Sequence, residues 1–188
     1  MAEGLLEDEK GKRAEEVGEE YLEALIERSF FQYSSQDKSK LIMHDIVHDL
    51  AMFISGEFCF ELNDSNDLSY LPTKACHLSI STKGSNVSTK IMKVLTSQTR
   101  SLRAFLLLSQ WYLLEKLLLH DLFLKVGGSL RVLSLSNLHQ EMKLPDSIGN
   151  MKYLRYLDLS HTSIEELPDS ICTLYNLETL LLSACGGL

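Results

Sequence analysis

The 188-residue sequence contains no unbroken apolar run of the ~20 residues that a bilayer-spanning helix requires. Its most apolar stretch, Leu102 to Leu124, is interrupted by Glu115, Lys116, His120 and Asp121. The N-terminal MAEGLLEDEKGKR is acidic and lacks the apolar core of a secretory signal. The four cysteines, Cys59, Cys76, Cys172 and Cys185, form no C-x-x-C pair. That usage fits reduced thiols in a cytoplasmic protein better than a disulfide framework. A basic stripe is missing as well. Residues 1–32 carry ten acids against four bases, residues 33–130 nine against ten, and residues 131–188 seven against four. With a net charge of -8 and no cluster of cations for a phosphate backbone, nucleic acid is not the expected partner.

What the chain does have is the composition of a folded protein. Hydrophobic residues make up 45% and charged residues 23%, which excludes disorder as the dominant state. Three zones separate. In the first, Val17, Tyr21, Ala24 and Leu25 recur at helical spacing within Ala14–Arg28, with acids on the other face. Phe30–Tyr33 and Lys40–Met43 read as two short strands of a hairpin around a polar tip. A second helix follows, with Val47, Leu50, Ala51 and Ile54 on one face, Asp45 in the N-cap place and Gly56 ending it. Phe58, Phe60 and Leu62 then alternate like a strand. Helix, two-stranded wing and helix make a winged-helix-like pattern. The second zone begins with the polar NDSNDLSY of 63–70 and reads as a linker.

The third zone is repetitive. Leu130, Leu133 and Leu135 spell L-x-x-L-x-L; Leu154, Leu157 and Leu159 do so 24 residues later; Leu177, Leu180 and Leu182 do so 23 after that. LPDSIGNMKYL and LPDSICTLYNL, starting at Leu144 and Leu167, match closely between them. A weaker copy, Leu102, Phe105 and Leu107, lies 28 residues before Leu130. This period is that of leucine-rich repeats, in which each L-x-x-L-x-L turns its leucines into a shared core. Leu113–Leu124 and Trp111 are expected to pack at the start of this array. The last repeat stops at Leu188 without a polar cap, as if the chain were cut from a longer solenoid.

Met43-His44-Asp45 within LIMHDIVHDLA follows EEVGEEYLEALIERSFFQ and precedes repeats such as LRYLDLSHTSIEELPDSI. In this order the chain resembles plant nucleotide-binding leucine-rich-repeat disease resistance proteins, the coiled-coil class most closely. The resemblance implies an α+β partial winged-helix subdomain at 1–62, a linker at 63–75 and an α/β leucine-rich-repeat solenoid, truncated, at 76–188. It implies further that His44, with Met43 and Asp45 beside it, reaches the β-phosphate of ADP in the intact parent and helps hold a resting state. The residue type suits that task, because an imidazole at a strand-to-helix junction can donate to a phosphate oxygen beside the helix dipole. No G-x-x-x-x-G-K-[ST] occurs here. Gly11-Lys12 is followed by Arg13 and has Leu6 in place of the first glycine. The chain alone is therefore expected to need no cofactor, with ADP or ATP belonging to the parent.

Other groupings attract blander readings. His44 and His48 stand at the H-x-x-x-H spacing of zinc hydrolases, but Asp45 replaces the catalytic glutamate and no third ligand suggests itself, so no metal is expected. Glu165, Glu166 and Asp158 fit a solvated repeat surface better than an acid–base pair. No catalytic residue is assigned and the chain is not expected to be an enzyme. The residues flanking the leucines, Arg131, Ser134, Arg155, Tyr156, Asp158, Glu178 and Thr179, form a mixed column suited to protein recognition. The expected partners are the parent's own nucleotide-binding domain, through autoinhibition, and a pathogen effector or guarded host protein. The alternative is a stand-alone repeat adaptor that binds a protein and no nucleotide.

Overall fold

The computed structural model describes residues 6, 11–38, 40–63, 72–81, 102–108, 120, 123–125, 127–138 and 143–186. The chain divides into two compact units, Met1–Gly56 and Glu57–Leu188.

The first unit opens with α1 (Ala14–Glu27). At its start the Glu16 carboxylate accepts from Arg13 N–H at 3.1 Å and from Arg13 Nε at 3.3 Å, and Glu15 and Glu16 favour the positive end of the helix dipole. Val17 is its one buried residue among those described. The helix ends in a Schellman motif: Phe30 N–H donates to Leu25 C=O at 2.9 Å and Ser29 N–H to Ile26 C=O at 2.9 Å. Ser29 takes the left-handed φ of 62° that this stop requires, without a glycine. The expected hairpin follows. Strand β1 (Phe31–Tyr33) pairs antiparallel with β2 (Leu41–Met43), Phe31 opposite Met43. α2 (Asp45–Ser55) ends at Gly56, whose φ of 47° and ψ of -123° explain the residue type.

The second unit is built on a six-stranded parallel sheet. Its strands are β3 (Cys59–Leu62), β4 (His77–Ile80), β5 (Ala104–Leu107), β6 (Val132–Ser134), β7 (Tyr156–Asp158) and β8 (Thr179–Leu181). They lie side by side in chain order. One residue per strand, Phe60, Leu78, Phe105, Leu133, Leu157 and Leu180, stands in register across the whole sheet. Leu78, Phe105, Leu133 and Leu157 are buried and form one core with Leu62, Ile80, Leu107, Leu130, Leu135, Leu154 and Leu159. The L-x-x-L-x-L reading thus describes the core. Opposite the strands, L-P-D-S-I becomes two 3-10 turns, Asp146–Asn150 and Asp169–Thr173, with Ile148 and Met151 buried beneath the first. Asn137, His161 and Ala184 occupy the same repeat position, and all three have a left-handed φ of 55–65°.

Two expectations change. The strand ending at Leu62, allotted to the winged-helix zone at 1–62, pairs in parallel with β4, Cys59 opposite His77, and is the first strand of the repeat sheet. The break between units therefore falls at Gly56 rather than after 62. The cause is non-local pairing, which alternation along one strand does not reveal. The linker residues 64–70, Trp111 and 113–119 lie outside the described residues. Phe123, at the end of the apolar stretch, is fully buried in the repeat core.

Candidate functional site

The strand-to-helix junction is built from three bonds. Met43, half-buried, closes β2 against Phe31. His44 N–H donates to Phe30 C=O at 3.2 Å, tying the exit of the hairpin to its entrance. His44 then leaves the strand with φ -63° and ψ 139°, and its C=O accepts from His48 N–H at 2.8 Å to start α2. His44, not Asp45, is therefore the N-cap. Its Nδ1 accepts from Ile46 N–H at 3.4 Å, and Asp45 is already helical. A short carboxylate is the commoner cap, but the backbone turns one residue earlier. Asp45 instead places an exposed charge beside the positive end of the dipole.

This cap has a chemical consequence. With Nδ1 accepting, a neutral ring carries its proton on Nε2, which points an N–H donor away from the helix. His44 is exposed. The arrangement suits a single contact to a phosphate oxygen at a helix N-terminus. Fit to a whole nucleotide goes no further in this sequence, which has no phosphate-loop glycines or lysine. His48 lies one turn on, exposed, with Nδ1 3.6 Å from Asp49 Oδ1. Among the described residues no group of three or more His, Cys, Asp and Glu side chains is placed to hold a metal ion.

The second predicted site, the column across the sheet, is brought together by register. Val132, Tyr156 and Thr179 stand in line, as do Ser134, Asp158 and Leu181. Arg131, Arg155 and Glu178 precede these strands in a third line, joined through N–H donation from each to the carbonyl before it. Arg155 Nη1 and Glu178 Oε1 are 3.3 Å apart. Asp158 is held by Ser160 N–H at 2.9 Å and by the Ser134 hydroxyl at 3.2 Å. Burial, with the Asp158 charge adding, raises the Tyr156 phenol above its ordinary pKa. Ser134 departs from expectation. Only 8% exposed, its hydroxyl is used on Asp158 and Ser136 rather than presented to a partner.

Sequence reasoning missed a pocket at the start of the array, lined by Lys74, Arg103, Arg131, Ser129, Tyr153 and Phe58 among others. The signal was the recurrence of arginine directly before β5 and β6 at the same repeat position. Glu166 and Lys143, on neighbouring repeats, pair at 2.7 Å. The hydrogen bond lowers the pKa of the carboxyl and raises that of the amine.

A strand-to-helix junction after a two-stranded wing, joined to leucine-rich strands, defines a winged-helix and leucine-rich-repeat protein. Comparison with known proteins agrees. Residues 1–51 match the disease resistance protein winged helix domain and 153–174 a leucine-rich repeat. The chain is 39% identical over 188 residues to a disease resistance protein of Arabidopsis thaliana, covering 98% of this chain and 13% of that one. It is 37% identical to the disease resistance RPP13-like protein 1 of Arabidopsis thaliana, over 96% of this chain and 17% of that one. It is 35% identical to disease resistance protein RGA1 of Solanum bulbocastanum, over 85% of this chain and 13% of that one. The chain belongs to the plant disease resistance proteins of the nucleotide-binding leucine-rich-repeat kind. It spans about an eighth to a sixth of the length of these relatives. No helix among the described residues is long and apolar enough to cross a membrane.

Proposed function

We propose that this chain is the switch-to-sensor junction of a cytoplasmic plant immune receptor. It contributes no catalysis. In the intact receptor, His44 donates from Nε2 to the β-phosphate of ADP and stabilises the resting state. The repeats continue as a solenoid, restrain the nucleotide-binding domain and receive a pathogen effector or a guarded host protein. Exchange of ADP for ATP then releases the restraint, which couples two sites through one bistable element.

The observation that carries this reading is the His44 cap. Nδ1 is committed to Ile46 N–H, so the donor is aimed outward beside a helix N-terminus. In the intact receptor that donor gains a phosphate partner in only one of the two states. The test is nucleotide retention. An intact receptor carrying His44→Ala, purified beside the unaltered one, should hold several-fold less ADP. Equal ADP content in the two would refute the contact.

A further inference from the structure

One carboxylate on the solvent face of the repeat sheet is held in a fixed orientation. Asp158 Oδ1 accepts from Ser160 N–H at 2.9 Å, and Oδ2 accepts from the Ser134 hydroxyl at 3.2 Å. A carboxylate offers roughly four acceptor directions, so these bonds leave room for further donors. The register fixes what surrounds it. Ser134 and Leu181 stand beside it on the neighbouring strands. Tyr156 and Ser160 precede and follow it on the same face of its own strand. None of these four residues brings a positive charge. Arg155, on the same strand, lies beyond Tyr156 at the strand entry and meets Glu178 at 3.3 Å. Asp158 and Tyr156 are both half-buried. Burial first, and the Asp158 charge second, raise the Tyr156 phenol, so the ring lies within the field of the carboxylate.

We infer that Asp158 and Tyr156 together receive an arginine side chain of a protein partner, its guanidinium lying on the Tyr156 ring and donating to the open acceptor sites of Asp158. A guanidinium is planar and weakly hydrated. It stacks on an aromatic face while its forked N–H groups meet a carboxylate. Lysine carries a compact, strongly hydrated charge and uses such a site less well. A partner carboxylate in this place would face a like charge. The Ser160 and Ser134 bonds orient Asp158 before any partner arrives, which lowers the ordering cost of binding. Val132, half-buried beside Tyr156, and Leu181, 36% exposed beside Asp158, offer apolar surface to the arginine stem. The inference rests on the proposal that this column receives a protein, and it names the side chain that anchors that protein.

The probe is the capped tripeptide Gly-Arg-Gly, titrated into the full 188-residue chain and followed by NMR at the Asp158 carboxyl carbon and the Tyr156 ring. Saturable binding with a Kd on the order of 10 mM is expected, with both signals moving together. The same peptide with citrulline, which keeps the shape and loses the charge, should bind at least fivefold more weakly. Asp158→Asn should also weaken binding at least fivefold, and its amide oxygen can still accept from Ser160 N–H, so the turn is kept. Tyr156→Leu should weaken it several-fold. Glu165→Gln, at an exposed acid of the same repeat outside the column, should change it less than twofold. Equal binding of the citrulline peptide overturns the inference, as does a titration that leaves the Asp158 carbon unmoved or an unchanged affinity in Asp158→Asn. An equal loss in Glu165→Gln would mean a diffuse acidic field and overturns it too. Tighter binding of Gly-Glu-Gly at the same signals also overturns it, yet leaves the column a protein-recognition face with the opposite preference. ADP retention in the intact receptor is a separate measurement that none of these results alters.

Discussion

A Cβ placed on Gly149 would lie 2.9 Å from Ser170 Cβ and 3.0 Å from Ser170 C=O on the next repeat. The two 3-10 turns stack so closely that one repeat leaves no room for a methyl group on the other. Thr173 reinforces the contact, its hydroxyl lying 3.1 Å from Gly149 C=O and 2.7 Å from Ser170 C=O. Gly149→Ala should therefore cost about 1–3 kcal/mol, the usual range for overpacking. Cys172 holds the same place one repeat later and is exposed. Cys172→Ala should stay within roughly 0.5 kcal/mol of the unaltered chain. Urea titrations of both variants decide the matter, and similar midpoints would refute the stacking argument.

Ser29 adopts a left-handed φ of 62° at the end of α1, where glycine pays no steric penalty. Ser29→Gly should stabilise the first unit by about 1 kcal/mol. Ser29→Val should destabilise it, because a branched side chain fits this region least. Amide exchange at Phe30 and Ser29, whose N–H groups close the motif, would report both changes.

Lys143 and Glu166 make a pH-sensitive link between repeats. The Glu166 carboxyl is shifted down, chiefly by its hydrogen bond to Lys143. Its contribution is present above the ordinary carboxylate range and disappears as pH falls through the lowered value. The Lys143 amine is shifted up by the same bond. Its contribution is present below the ordinary lysine value and is lost as pH rises through the raised one. Between these limits the link is insensitive to pH. Both side chains are largely exposed, so added salt should weaken the pair. Lys143→Met should raise the Glu166 midpoint in a carbon-detected NMR titration. An unmoved midpoint would show that the pair does not persist in solution.

The leucine pattern made β5 to β8 legible, because each repeat carries its own L-x-x-L-x-L or a near copy. β4 went unread for a local reason. Its equivalent triplet is Ala75, Leu78 and Ile80, and alanine in the first place hides the period. β3 was seen as a strand but joined to the wrong neighbour, since its partner Cys59↔His77 pairing is set across an intervening loop. At the junction the sequence favoured Asp45 as the cap on propensity. The backbone puts His44 there, and that one-residue shift is what orients the ring. Ser134 looked like its neighbours in the column, but only the register with Asp158 reveals that its hydroxyl is engaged.

α2 presents Ile46 and Phe53 at 74% and 84% exposure, with Leu50 and Ile54 also open. Such a cluster of apolar side chains on one short helix favours association. The 188-residue chain should form oligomers whose size grows with concentration despite its net charge of -8. Ile46→Lys with Phe53→Lys should shift light scattering toward the monomer. A sharp monomer for the unaltered chain at high concentration would contradict the expectation.

The His44 argument separates three neighbouring substitutions in an intact receptor. His44→Ala removes the Nε2 donor and the Nδ1 acceptor at once. A hydrogen bond to a charged oxygen is worth about 1.5–3 kcal/mol net. A loss of about 1.4 kcal/mol from the resting state alone moves the equilibrium tenfold toward the active one. His44→Ala should therefore trigger cell death in leaves without a pathogen. Asp45→Val leaves the cap intact and removes only a charge beside the helix dipole, an effect of about 0.3–1 kcal/mol. Its response should be weaker than that of His44→Ala. His48→Ala should be silent, because His48 lies one turn on and sits beside Asp49 rather than at the helix start. Transient expression of the three variants at matched protein levels gives the order. Death from His48→Ala as strong as from His44→Ala would point to general loosening of α2, and the phosphate contact would have to be abandoned.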